Sequence, residues 1–157
     1  MSSFRLIGLD PAPFAGLFDL DDAALRARGG RRRVATEDPG FPCRVSLRDA
    51  AVGEELLLLP FEHQAEDSPY RASGPIYLRR NAAPRTLAVG EVPDYVRRRQ
   101  ISLRGYSARH LMVDALVCEG EDVAQRIEAM FANPKIAYAH LHNARPGCYS
   151  CRAERVG

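Results

Sequence analysis

The segment AHLHNARPGCYSC, residues 139–151, carries two of the chain's four histidines and two of its four cysteines. Imidazole and thiolate are side chains that zinc takes as ligands. A thiol beside a base is also the minimum for nucleophilic cysteine chemistry. His140 and His142 are two positions apart, so on a strand they share a face. Cys148 and Cys151 form a C-x-x-C pair, but CYSCRAERV reads as extended, and residues three apart on a regular strand face opposite ways. The spacing H-x-H-x5-C-x-x-C fits no standard zinc module, and the chain holds one C-x-x-C only. The turn RPG (145–147) folds 135–143 back on 148–156 and brings His142 and Cys148 to one hairpin end. Turn register decides whether they share a face there. The plainest reading is a hairpin in which cysteine serves as a small buried apolar residue and backbone carbonyls satisfy the histidines.

Other residues could join such a site. PGFPCR (39–44) and RPGCYS (145–150) share a design, a Pro/Gly turn and then a cysteine at a strand start; coincidence is the simpler account of it. Glu62 and His63 follow an apolar run, in what reads as a loop, where active-site groups commonly emerge. Tyr70, Arg71 and Ser73 precede Gly74, a residue that permits close backbone approach, and Arg71 would suit an anion. Asp114 lies in LMVDALVC amid apolar neighbours, which predicts a carboxylate paired with arginine or protonated.

These residues need elements to hold them. Alternation and apolar runs predict strands at 4–9, 43–47, 54–61, 74–80, 100–107, 110–118, 135–143 and 148–156, with a short one at 31–35. The run EELLLLPF suits a strand buried on both faces. Residues 19–30 read as a helix capped by Asp19, and residues 92–100 as two turns with Pro93 at their start. Residues 121–134 read as a helix with an apolar stripe at Val123, Ile127, Met130 and Phe131. The expectation is an α+β fold: a single compact domain over 1–157, mainly antiparallel or mixed β-sheet, with two or three helices.

Composition narrows the function classes. Apolar residues make up 46% and charged residues 27%, ordinary for a folded domain. The net charge is +2, and all but one of the 22 basic residues are arginine, Lys135 being the exception. The basic runs RARGGRRR (26–33) and RRR (97–99) lack interleaved aromatics and are balanced by acidic stretches, which argues against nucleic acid. The longest apolar run, LLLLPF (56–61), falls far short of the ~20 residues of a membrane span. Asp10 and two prolines interrupt the start of the chain where a signal peptide would need an apolar stretch. A cytoplasmic protein with reduced thiols is expected. The sequence specifies no oligomer.

The stretches PGFPCRVSLRDA, LLLPFEHQ…SPYRASGPIYLR and AYAHLHNARPGCYS resemble a bacterial family of single-domain proteins, domain-of-unknown-function family 1203, over nearly the whole chain. The resemblance implies an α+β domain and no established activity. Cys43, Arg44, His63, Tyr70, Arg71, Ser73, Asp114, His142, Asn143, Gly147 and Cys148 match that family's pattern, whereas His110, Cys118 and Cys151 fall outside it. The departure at Cys151 weighs against a C-x-x-C clip as a shared function. The preferred expectation is a pocket for a small polar or anionic ligand, built from His142, Asn143 and Cys148 with Arg44, His63, Arg71, Ser73 and Asp114, and with no metal or cofactor assigned. One alternative is a cysteine-dependent enzyme with Cys148 as nucleophile or redox thiol and His142 or His63 as base. The other is zinc bound by His140, His142, Cys148 and Cys151.

Overall fold

The computed structural model describes residues 3–157. Its strands are β1 (Phe4–Ile7), β2 (Arg31–Val34), β3 (Pro42–Cys43), β4 (Arg48–Asp49), β5 (Glu55–Gln64), β6 (Ala72–Arg79), β7 (Gln100–Tyr106), β8 (Met112–Glu119), β9 (Tyr138–Asn143) and β10 (Tyr149–Arg155). The helices are α1 (Asp22–Ala27), α2 (Asp94–Arg97) and α3 (Val123–Phe131), with three single turns of 3-10 helix. The strands form two five-stranded sheets in the orders β1-β10-β9-β7-β8 and β2-β5-β6-β3-β4. The first sheet is antiparallel throughout. The second is mixed, because β3 runs parallel to β6 at Cys43 and Tyr77. The chain is α+β.

The first core lies between that antiparallel sheet and α3. Val123, Ile127, Met130 and Phe131 are all buried and cluster with Ile101, Leu103, Leu141 and Cys151. At about 1.5–3 kcal/mol per buried apolar side chain, the stripe contributes about 6–12 kcal/mol before entropy is counted. Gly120, just ahead of α3, sits so close to α2 that a Cβ there would lie 2.2 Å from the carbonyl oxygen of Val96. The second core packs α1 and the 9–20 segment against Leu57, Leu59, Ile76 and Leu78 of the other sheet. Leu56 faces a third, smaller cluster, so β5 is buried on both faces as its leucine run predicts.

Four expectations need correction. Residues 62–64 are not loop; β5 continues through Gln64, with an irregularity between Phe61 and Gln64, and so carries His63 on a strand. The segment 43–47 is not a strand beyond Cys43: residues 44–47 turn, with Leu47 at φ 52°, and the turn sends Arg44 toward the other sheet. The helix expected at 19–30 is shorter, and Asp21, not Asp19, caps it by accepting from Ala24 N at 2.8 Å. Asp114 is exposed, because β8 is an edge strand with both faces largely open to water. Its Oδ1 accepts from Ala115 N at 2.9 Å, and an exposed carboxylate needs no arginine partner. No helix among the described residues is long and apolar enough to cross a membrane.

Candidate functional site

Strand β9 is the centre of the antiparallel sheet and all six of its residues are buried. Alternation sorts them. Ala139 and Leu141 join the first core, while His140 and His142 turn the other way, toward β5, where both lie against the His63 ring. Asn143 falls on the Leu141 side. The next turn is held by Asn143 N donating to Cys148 O at 2.9 Å and Gly147 N donating to Asn143 O at 2.8 Å. Gly147 takes φ 83°, a conformation that favours glycine.

This alternation separates the residues that share the hairpin end. Cys148 Sγ lies 3.0 Å from Arg44 Nη2 and 3.8 Å from Asn143 Nδ2. His142 instead sets Nδ1 at 3.0 Å from Gly147 O and Nε2 at 3.5 Å from Arg104 Nη1. Among the described residues no histidine is a polar partner of Cys148. The structure thus forms two separate groups, Cys148 with Arg44 and Asn143, and His142 with His63 and His140.

The first lies in a cleft of about 730 Å³ lined by Arg44, Asn143 and Cys148, and also by Arg98, Arg99, Arg145 and a single carboxylate, Glu119. Arg44 is 1% exposed. Its Nε donates to Tyr149 O at 2.7 Å and its Nη1 to Pro42 O at 2.6 Å, so it ties the two sheets together. Among the described residues no carboxylate pairs with it, which is unusual for a buried charge. Arg99 forms a bidentate pair with the buried Asp49, and Arg98 lies 3.6–3.7 Å from Asp38 and Asp49. Asn143 is 4% exposed and its Oδ1 is buried without a partner. The two Pro/Gly-Cys segments do meet here, but through Arg44 rather than Cys43. The Cys43 thiol is buried and accepts from Arg79 N.

The second site is a histidine cluster. One ring nitrogen from each of His63, His140 and His142 lies within 4.8 Å of the other two. His63 stacks on Tyr149, with centroids 5.6 Å apart and planes 5° apart, and meets His142 edge-on at 4.8 Å. Burial pushes His140 down to about 3 and His142 down to about 4, and it also lowers His63; neighbouring Arg104 adds to each shift. All three rings are therefore neutral at ordinary pH, with lone pairs available.

Several expected site residues lie elsewhere. His142 and His63 do not line the cleft. Arg71 and Ser73 are exposed near the start of β6, where Arg71 pairs with Glu62 at 3.0 Å and holds that carboxyl below its ordinary range. Asp114 is on the exposed edge strand described above. Cys151 is fully buried in the first core, where burial pushes its thiol up to about 12. An irregularity between Tyr149 and Cys151 sends Tyr149 to the histidines and Cys151 to the opposite side, so the C-x-x-C pair does not close on His140 and His142. Arg98, Arg99 and Arg145 are cleft residues that sequence reading passed over, because neither the basic run at 97–99 nor a lone turn arginine shows which surface it lines.

A family model described as "Protein of unknown function (DUF1203)" matches residues 40–155. The chain belongs to this family. The matched span holds the cleft and the histidine cluster and leaves out β1, α1 and β2. No curated protein and no solved structure matches the chain.

Proposed function

We propose that the protein binds a small anionic ligand in the arginine-lined cleft. The observation that carries this reading is the lining itself, four guanidinium groups against one carboxylate. Guanidinium pairs with carboxylate and phosphate through parallel hydrogen bonds, and a recessed site strengthens them. Arg145 is the group best placed to meet a ligand, since Arg99 is held by Asp49, Arg98 lies within ion-pair reach of Asp38 and Asp49, and Arg44 is held by backbone carbonyls. The unpartnered Oδ1 of Asn143 calls for a ligand that also carries a hydrogen-bond donor. Cys148 would touch the ligand as a polarizable wall. A cysteine-dependent reaction at the same place would use Cys148 with an arginine as anion anchor. The bases expected for it, His142 and His63, belong to the other site, so binding is the preferred reading.

The test is thermal unfolding in phosphate, sulfate and malonate at constant ionic strength, compared with chloride. A ligand that binds only the folded state stabilises it in proportion to the logarithm of its concentration, by about 2.7 kcal/mol at a hundred times Kd. A saturable rise in Tm that Arg145→Ala abolishes in all three anions, and that Asn143→Ala weakens for hydrogen phosphate, the probe with an O–H donor, supports the proposal. An equal rise in wild type and variants, or none in any anion, contradicts it.

A further inference from the structure

We propose that His63, His140 and His142 bind a divalent first-row transition ion, zinc by preference, at a site distinct from the cleft. Three observations converge. The rings come from two sheets, His63 from β5 and the pair from β9, yet present one nitrogen each within 4.8 Å of one another. His140 is 2% exposed, and its Nδ1 and that of His63 are buried without any hydrogen-bond partner. Buried polar atoms are otherwise nearly always satisfied, so two orphans in one cluster call for a partner. His142 supplies the third observation. With Nδ1 on the carbonyl of Gly147, its Nε2 keeps the lone pair, and a ring held this way by a backbone carbonyl is the usual outer support of a metal-bound histidine.

Neutral imidazole nitrogens suit zinc, cobalt, nickel and copper far better than magnesium or calcium. Tetrahedral zinc–nitrogen bonds of 2.0–2.1 Å place ligand atoms ~3.3 Å apart, so the rings must draw together on binding. His63 is the least buried of the three. Three protein ligands leave one coordination position for water or an anion, the pattern of reactive rather than structural zinc sites. Arg104 competes for His142 Nε2 in the metal-free protein; once displaced, its charge would flank an anion held on the metal.

The experiment uses the full chain, without a histidine tag, stripped of metal and titrated with Co²⁺. The expected result is one equivalent bound, the intense visible absorption of four-coordinate cobalt, and displacement by Zn²⁺. His63→Ala should weaken binding more than ~10-fold, since even the outer supports of metal ligands are worth 10–100-fold. Arg104→Gln should tighten binding or leave it unchanged, while Cys148→Ser and Arg145→Ala should leave it unchanged, which separates this site from the cleft. Should a histidine variant fail to fold, wild type decides alone, because hyperfine-shifted imidazole N–H signals count the bound rings. No stoichiometric cobalt, binding undiminished in folded His63→Ala, or binding lost in Cys148→Ser overturns the proposal.

Discussion

The guanidinium of Arg44 lies 3.0 Å from the sulfur of Cys148, joining positions 104 residues apart in the chain. The same side chain satisfies Tyr149 O and Pro42 O from a position 1% exposed to solvent. It is therefore a structural clamp as well as one wall of the cleft. Arg44→Met keeps the aliphatic stem and strips the donors, which leaves two backbone carbonyls short of a partner. At roughly 1–3 kcal/mol per unsatisfied buried group, the variant should lose about 2–6 kcal/mol, read as a shift in urea midpoint. A loss below about 1 kcal/mol would show that water replaces the guanidinium at no cost.

The four cysteines are free but differ in access. Cys148 is partly exposed, whereas Cys43 and Cys151 are 0% exposed and Cys118 is 7% exposed. Burial also pushes the Cys151 thiol up to about 12, and the thiolate is the reactive form. Native protein treated with iodoacetamide near neutral pH should label first at Cys148. Mass spectrometry of the digest checks the order, and equal labelling of Cys151 in folded protein would refute it.

Acid should destabilise the metal-free protein through its histidines. His140 faces His63, His142, Arg104 and Arg152 in a buried setting, and its folded value is about 3 against an ordinary 6.5; His142 stands at about 4. A lowered folded value means that the unfolded chain takes up protons that the folded chain refuses. Stability is thus complete above about 6.5 and is lost as pH falls toward these folded values. Between pH 7 and 4.5 the loss should be about 2 kcal/mol for each of the two rings. Denaturant midpoints across that range test it, and His140→Gln should flatten the slope. A wild-type profile that stays flat to pH 4.5 would contradict the burial argument.

Gly120→Ala should be among the most damaging single-methyl additions. A Cβ at this position would lie 2.2, 2.6 and 2.7 Å from the carbonyl oxygens of Val96, Arg99 and Arg97, all of them backbone. Neither α2 nor the start of α3 can yield without unseating the first core. Overpacking typically costs about 1–3 kcal/mol, and contact with three backbone oxygens puts this case at the upper end, measurable by calorimetry. A shift in Tm of a degree or less would mean that the helix junction is looser than this contact implies.

Much of the fold is legible in the sequence because its signals are local. The stripe of α3, the leucine run of β5 and the RPG turn each depend on a few neighbouring residues. The two sites are legible only in part. His140 and His142 announce a shared face by their spacing, but His63 joins them through packing between sheets. The extension of β5 that carries it interrupts the alternation of a polar stretch, FEHQ, that resembles a loop. The RPG turn points to Cys148 and the family resemblance to Arg44, yet their contact depends on residues 44–47 leaving the sheet. Asp114 misled for the opposite reason: the alternation around it is real, but an edge strand need not bury either face.

The most direct test of the cleft as an anion site uses Cys148 as its own reporter. Iodoacetate and iodoacetamide differ mainly in charge, so the ratio of their rates at Cys148, divided by the same ratio for free glutathione, reads the local field. The arginine lining predicts a normalised ratio well above one, falling as ionic strength rises and falling further in Arg145→Glu. A ratio at or below one, unmoved by Arg145→Glu, would mean that the cleft does not attract anions, and the proposed function would fail.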